Sequence, residues 1–259
     1  MLLNKSSKTH EAFFSFYNNE LVNKINKGYN DFTYYFHLKE INQQLAQENS
    51  QLRYQIASNL IAPDSSQKKV IDTTLSDTLG RYRKYTFLPA AVVGNTITLQ
   101  NNFLTLERGA QQGVKVGMSV IAPQGIVGVV LYVSNNYSIA MSALNRNSRV
   151  SVMLKKDNSA GSVEWNGENP SFLTLKNIGK GAKVNIGDTV VTSNYSANFP
   201  SNIMVGTIAG KTADPSSNFY TLKVKASTNF ASLRYVYLVK NVHYEEQKEL
   251  ESKELKTNE

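Results

Sequence analysis

The sequence predicts a mainly β protein with an N-terminal α-helical coiled coil and two small β-barrel-like subdomains. Three observations carry that expectation. Residues 32–60 contain no Gly or Pro and place Leu38, Leu45 and Leu52 seven residues apart. From about residue 85 to 240 the chain breaks into short β-forming runs separated by Gly, Asn and Asp. Runs spaced every ~8–12 residues are the mark of a barrel or sandwich. The β stretch is long for one small barrel and suits two packed subdomains.

The elements follow in chain order. Residues 1–30 mix Phe13, Phe14, Phe16 and Tyr17 with Asn and Lys, and are expected as a helical arm. Residues 31–60 form the coiled-coil helix, ~39 Å long for about 26 helical residues. One register puts Leu38, Leu45 and Leu52 at d, with Tyr35, Asn42, Asn49 and Ile56 at a. The other sets Ile41, Glu48 and Gln55 at d and buries an acid, so the first is preferred. Asparagines at a weaken a coiled coil, yet they fix its register and favour two strands. The seven residues of the first register are the expected dimer interface. A helix lying on its own domain is the alternative, but such a helix carries a wider apolar stripe.

Residues 61–80 open with Ala62-Pro63-Asp64-Ser65-Ser66; proline ends the helix and the polar run reads as a linker. Residues 81–158 are the first β subdomain and 159–240 the second, with interleaving of strands across that boundary as the alternative. Runs such as GIVGVVLYVS, RVSVML, FYTLKVKA and LRYVYLVK supply their strands. Residues 241–259 are a charged tail, expected as frayed helix or disorder. Exposed strand edges in the β region would accept a partner by docking or strand addition.

Composition removes several chemistries. The chain has no cysteine, so thiol catalysis, disulfides and cysteine-held metals are excluded. The three histidines, His10, His37 and His243, all lie outside the β region, which argues against a serine–histidine triad beside Thr192-Ser193 and against histidine metal sites. Glu107, Asp157, Glu164, Glu168, Asp188 and Asp214 are the β region's only acids, and they sit mostly beside turns. The glycines at 109, 113, 117, 125 and 128 form no phosphate-binding pattern. No cofactor is expected.

Charge is segregated. Residues 1–80 are neutral, residues 81–240 carry 17 basic against 6 acidic side chains, and the tail is net −3, making +8 in all. The basic segment suits acidic partners or anionic lipid, or a merely solvated surface. Its Lys and Arg are scattered without a nucleic-acid motif, so nucleic acid is not expected as a partner. No stretch approaches the ~18 apolar residues of a membrane span.

The order of features carries a resemblance. A heptad helix containing LAQENSQLR is followed by a polar linker, then by FLTLERGAQQGVKVGMSVIAPQGIVGVV and GDTVVTSNYSANFPSNIMVGTI. Over about residues 30–240 this resembles the MreC family of bacterial cell-shape proteins. Gly187, Asp188, Thr192, Ser193, Phe199, Pro200 and Gly206 match the family's second motif, while Asn194 and Asn202 replace glycines. Asparagine tolerates left-handed backbone, so both replacements suit the same turns. The motif loop is expected as a strand-ending turn with Phe199 inward, or as a partner surface.

The resemblance implies a non-enzymatic scaffold that dimerises by its coiled coil and assembles into filaments. Its implied partners are a class B penicillin-binding transpeptidase and an MreD-type membrane protein, and its implied action is to recruit and activate lateral peptidoglycan synthesis. The implied location is the periplasmic face of the cytoplasmic membrane, behind a single-pass anchor. Family members begin with a short cytoplasmic piece and a membrane helix, so this chain is expected to be an extracytoplasmic fragment or a chain with a displaced start. The alternative is a periplasmic adaptor of an efflux or secretion system. Adaptors insert a helical hairpin within the β part, whereas the single heptad segment here precedes every strand.

Overall fold

A computed structural model describes residues 40–53, 60–61, 82–196, 198–213 and 217–257. The arm expected over 1–30, nearly all of the linker over 61–80, and the heptad positions Tyr35, Leu38 and Ile56 lie outside the described residues. Helix α1 is described over residues 40–53. The chain divides into two units between Glu48 and Asn49, and the second contains all the described strands. Strands β1 (Leu60–Ile61) and β2 (Tyr82–Arg83) pair antiparallel.

The first barrel is built from β3 (Tyr85–Asn95), β4 (Asn101–Leu106), β5 (Ser119–Ala122), β6 (Gly125–Val133), β7 (Ser138–Asn145) and the last strand, β14 (Tyr235–Asn241). They close antiparallel in the order β14-β3-β4-β7-β6-β5. The second barrel takes β8 (Val150–Leu154), β9 (Ala160–Glu164), β10 (Phe172–Gly179), β11 (Thr189–Thr192), β12 (Met204–Ala213) and β13 (Phe219–Ala226). Its closed order is β10-β13-β12-β11-β8-β9. Period-two patterning produces both walls. In β4, Asn102, Leu104 and Leu106 are buried and the residues between them are not. In β13, Leu222 and Val224 point in, while Thr221, Lys223 and Lys225 point out.

Two expectations need correction. The division placed at 158/159 runs elsewhere, because β8 closes the second barrel and β14 returns to the first. The reason is packing: Val236 and Leu238 fill the first barrel's core with Leu104, Val120 and Val130, and β14 bridges the gap between β3 and β5. Within the two barrels open-edged sheet is also not what forms, since closure flanks each barrel strand with two others. A partner of either barrel docks on a wall or a loop. The tail is helical: Tyr244–Thr257 form α2, supported by Lys253–Glu249 at 2.7 Å and Gln247–Glu251 at 2.9 Å, one turn apart.

The barrels share a core. One apolar cluster joins Phe87, Ile121, Ile126 and Val239 of the first to Trp165, Phe199, Val205 and Ile208 of the second. At this seam Gly125 lies so close to the Met204 carbonyl and the Ser227 hydroxyl that a Cβ would collide with both. Thr228 Oγ1 donates to the Ile126 carbonyl at 2.8 Å, and Asn95 Nδ2 to the Phe230 carbonyl at 2.7 Å. These two bonds satisfy polar groups across the seam, whereas Ser119 Oγ on β5 is buried without a hydrogen-bond partner among the described residues.

Candidate partner-binding surfaces

Helix α1 turns its heptad face to solvent. Asn42, Leu45, Asn49 and Leu52 are all exposed, Leu45 at 48% and Leu52 at 61%, and Ile41 beside them at 39%. Ala46 and Ser50, one turn apart on another face, are buried. That face anchors the last turn. Ser50 Oγ donates to the Phe87 carbonyl at 3.0 Å. The Arg53 guanidinium stands 5.2 Å from the Tyr237 ring centre and 5.9 Å from that of Phe87, within cation–π range. Burial pushes the Tyr237 hydroxyl above its ordinary pKa of 10, and the Arg53 charge pulls back against that rise. The last turn of the helix is thus attached through residues the heptad reading did not use. The signal for them is faint: Ser50 and Arg53 lie three apart beside Leu52.

The Gly-Asp and Thr-Ser-Phe-Pro residues come together around β11. Gly187 adopts φ +90° and donates its N–H to the Ile208 carbonyl at 2.8 Å. Asp188 Oδ2 accepts from the Asn185 N–H at 2.8 Å, closing the turn. Thr192 Oγ1 donates to the Pro200 carbonyl at 2.6 Å and accepts from the Ile203 N–H at 2.9 Å. Ser193 is buried, its N–H donating to the Ser151 carbonyl at 3.1 Å and its Oγ accepting from the Tyr195 N–H. Phe199 is 2% exposed and Pro200 is buried. Gly206 is needed because a Cβ would strike the Lys225 carbonyl. Asn202 takes φ +64°, as a glycine replacement should, whereas Asn194 does not enter the left-handed region. The loop also reaches the first barrel, Asn198 Nδ2 donating to the Gly117 carbonyl at 2.6 Å. Among the described residues of this loop, Asn194, Tyr195 at 80% and Asn202 are exposed to solvent.

The acids are engaged singly. Arg149 and Lys176 both hold Glu164, and Asn166 donates to Glu168 at 2.9 Å. Among the described residues no group of three His, Cys, Asp or Glu could hold a metal ion. Two cavities, of about 110 Å³ beside Gly117 and Tyr244 and about 200 Å³ beside Phe172 and Lys223, fall below the ~300 Å³ of a small-molecule site.

Comparison with known proteins shows what this chain is similar to. The model of the rod shape-determining protein MreC barrel core matches residues 92–240. The cell shape-determining protein MreC of Listeria monocytogenes is 28% identical over 214 residues, covering 82% of this chain and 69% of that protein. The Haemophilus influenzae protein of the same name is 24% identical over 136 residues, covering 52% of this chain but only 38% of its own length. Among solved structures, MreC of L. monocytogenes superposes with a TM-score of 0.57 at 25% identity, over 79% of this chain and 94% of that one. A complex between the penicillin-binding protein PBP2 and MreC from Helicobacter pylori matches with a TM-score of 0.50 at 16% identity, over 61% of this chain and 100% of that one. At that identity the likeness is one of fold.

Proposed function

Because the chain belongs to the MreC family of rod shape-determining proteins, we propose that it is a non-enzymatic scaffold, dimerised by α1, that recruits and activates the elongation-specific peptidoglycan synthesis machinery. The observation that carries this reading is the leucine face of α1, exposed at Leu45 and Leu52 while the helix is anchored by Ser50 and Arg53. Exposed large apolar residues at heptad spacing are stabilised when a second helix covers them. Two such chains side by side would hold four barrels in a fixed array, a form suited to positioning partners rather than to turnover.

A class B penicillin-binding transpeptidase is the proposed partner. Its support is the H. pylori complex, in which a protein of the same fold is joined to PBP2. An MreD-type membrane protein and assembly into filaments complete the proposal, with the work done at the periplasmic face of the cytoplasmic membrane. No helix among the described residues is long and apolar enough to cross a membrane.

Sedimentation equilibrium tests the dimer. Leu45→Pro interrupts α1 at a cost of ~3 kcal/mol or more, and should convert a dimer mass to a monomer mass. A variant with the parent's dimer mass refutes the seam. Saturable binding of the purified transpeptidase to the immobilised chain tests the partner, and no binding above a bare surface refutes it.

A further inference from the structure

The outer wall of a closed barrel is convex, so a concavity on it needs a local cause. In the second barrel the loop from β9 to β10 supplies one, where it meets the outward side of β10, β13 and β12. The open groove there measures about 200 Å³. Its strand side presents Phe172, Lys223 and three threonines, Thr174, Thr212 and Thr221. Register puts these on one face, since Lys223 pairs with Thr174 and Thr212 with Thr221. Thr212 and Thr221 are exposed to water, and Thr174 is half-buried. The loop side presents Asn166, Glu168 and Asn169, and it is held in place from both barrels. The buried Trp165 donates its Nε1–H to the Asn169 carbonyl at 3.1 Å. Arg146 Nη2 donates to the Asn166 carbonyl at 3.1 Å, and Gly167 turns the loop at φ +89°. The groove is therefore shaped before a ligand arrives, which lowers the entropic cost of binding.

We propose that this groove of the second barrel is a binding site for a neutral saccharide chain. Its charge and chemistry select that occupant. Glu168 and Lys223 are the lining's only charged residues and they offset one another, so neither an anion nor a cation is singled out. Lys225 neighbours Phe172 across the β10–β13 ladder but stands outside the lining, and Lys176 is engaged by Glu164. A wholly apolar ligand would strip water from hydroxyls and amides without replacing it. A sugar ring does neither. Its hydroxyls donate and accept, as the threonine hydroxyls and asparagine amides around the groove do, and its C–H faces pack on an aromatic ring. Phe172 is that ring. The Lys223 ammonium stands 4.2 Å from the ring centre, over the place a sugar face takes, and it must swing aside for stacking. The groove is too small to enclose a ligand, but a chain lying across it seats one ring at a time. The identity of the chain rests on the scaffold reading above, which makes it the glycan whose synthesis the scaffold serves; the groove itself rests on its own residues.

Saturation-transfer NMR on the full chain tests the site, with tetra-N-acetylchitotetraose, a soluble uncharged sugar tetramer, as the probe. Wild type should transfer saturation to the sugar ring protons, and the signal should titrate to a plateau. Phe172→Ala should weaken binding by about tenfold or more. Thr221→Val keeps the β-branched shape and loses one hydroxyl, and should weaken it by about two- to tenfold. Lys223→Met removes the ammonium from over the ring, so binding should hold or tighten. Trp165, the single tryptophan, is bonded to the loop and reports by its fluorescence that each variant is folded. Should Phe172→Ala disturb it, Phe172→Leu stays apolar without a ring and should weaken binding in the same direction. No saturable transfer in wild type overturns the proposal, as does undiminished binding by the Phe172 and Thr221 variants. Binding of inorganic polyphosphate at the expense of the tetramer, lost in Lys223→Met, makes the groove an anion site and overturns it too. Tetramer binding by a chain that captures no transpeptidase upholds the groove and counts against the scaffold; capture without tetramer binding overturns the groove alone.

Discussion

Phe199→Ala asks whether the Thr-Ser-Phe-Pro loop serves packing or recognition. Phe199 is 2% exposed and belongs to the cluster that joins the two barrels. A phenylalanine buries ~150–250 Å², worth roughly 4–6 kcal/mol at about 25 cal/mol per Å². That figure is an upper bound, because the unfolded chain already hides some of the surface. Truncations of buried Phe to Ala cost ~3–5 kcal/mol, so the expected loss is ~3–5 kcal/mol. In a unit of this size each kcal/mol moves Tm by ~2–4 °C. The drop should therefore be about 6–20 °C. The single tryptophan, Trp165, is buried in the same cluster, so its fluorescence reports the seam while far-UV circular dichroism reports both barrels. Urea unfolding should show coincident transitions in both signals, shifted together in the variant. A loss under ~1 kcal/mol accompanied by failure to bind the transpeptidase would make Phe199 a contact residue and refute the packing argument.

Thr192→Val leaves the Pro200 carbonyl and loses a partner for the Ile203 N–H; ~1–3 kcal/mol of destabilisation is expected in urea titration, and none would mean that water replaces the hydroxyl. Gly125→Ala drives a methyl into the Met204 carbonyl at the barrel seam, for a loss of ~1–3 kcal/mol; a melting temperature equal to wild type would show the seam to be slack. The Tyr237 hydroxyl is held above its ordinary pKa of 10 by burial, net of the Arg53 attraction. The unfolded chain then loses that proton first, so stability is full below pH 10 and declines as pH rises beyond it. Tyr237→Phe should flatten this alkaline decline in urea titrations, and parallel pH profiles for the two chains would contradict the assignment.

Local patterning made much of this fold legible. Alternation such as Leu222–Lys223–Val224–Lys225 marks a strand with one wet face, and the Gly-free run around Leu45 and Leu52 marks a helix. Long-range pairing is another matter. Tyr235–Asn241 is the strand that follows β13 in the chain, and nothing local says that it crosses back to β3 and β5. Facing is equally hidden when both sides of a strand are apolar. In SIAMSALN, Ile139 and Ala140 look alike in sequence, yet one is exposed and the other is core. Motif residues were legible as a set, but their work was not: Thr192 spends its hydroxyl on backbone and Phe199 fills a seam that exists only once two barrels meet.

The return of β14 also imposes an order on synthesis. Residues 150–226 are contiguous and hold every strand of the second barrel, so its closure needs nothing made later. The first barrel must wait, with the β3 and β5 edges open, until residues 235–241 emerge. At ~5–20 residues per second that interval lasts roughly 5–20 s. During it the nascent chain carries a vacant slot one strand wide, matched in length and register to a single sequence. The β14 of another nascent chain fits that slot as well as its own does, so crowded translation is where strand-exchanged chains would arise.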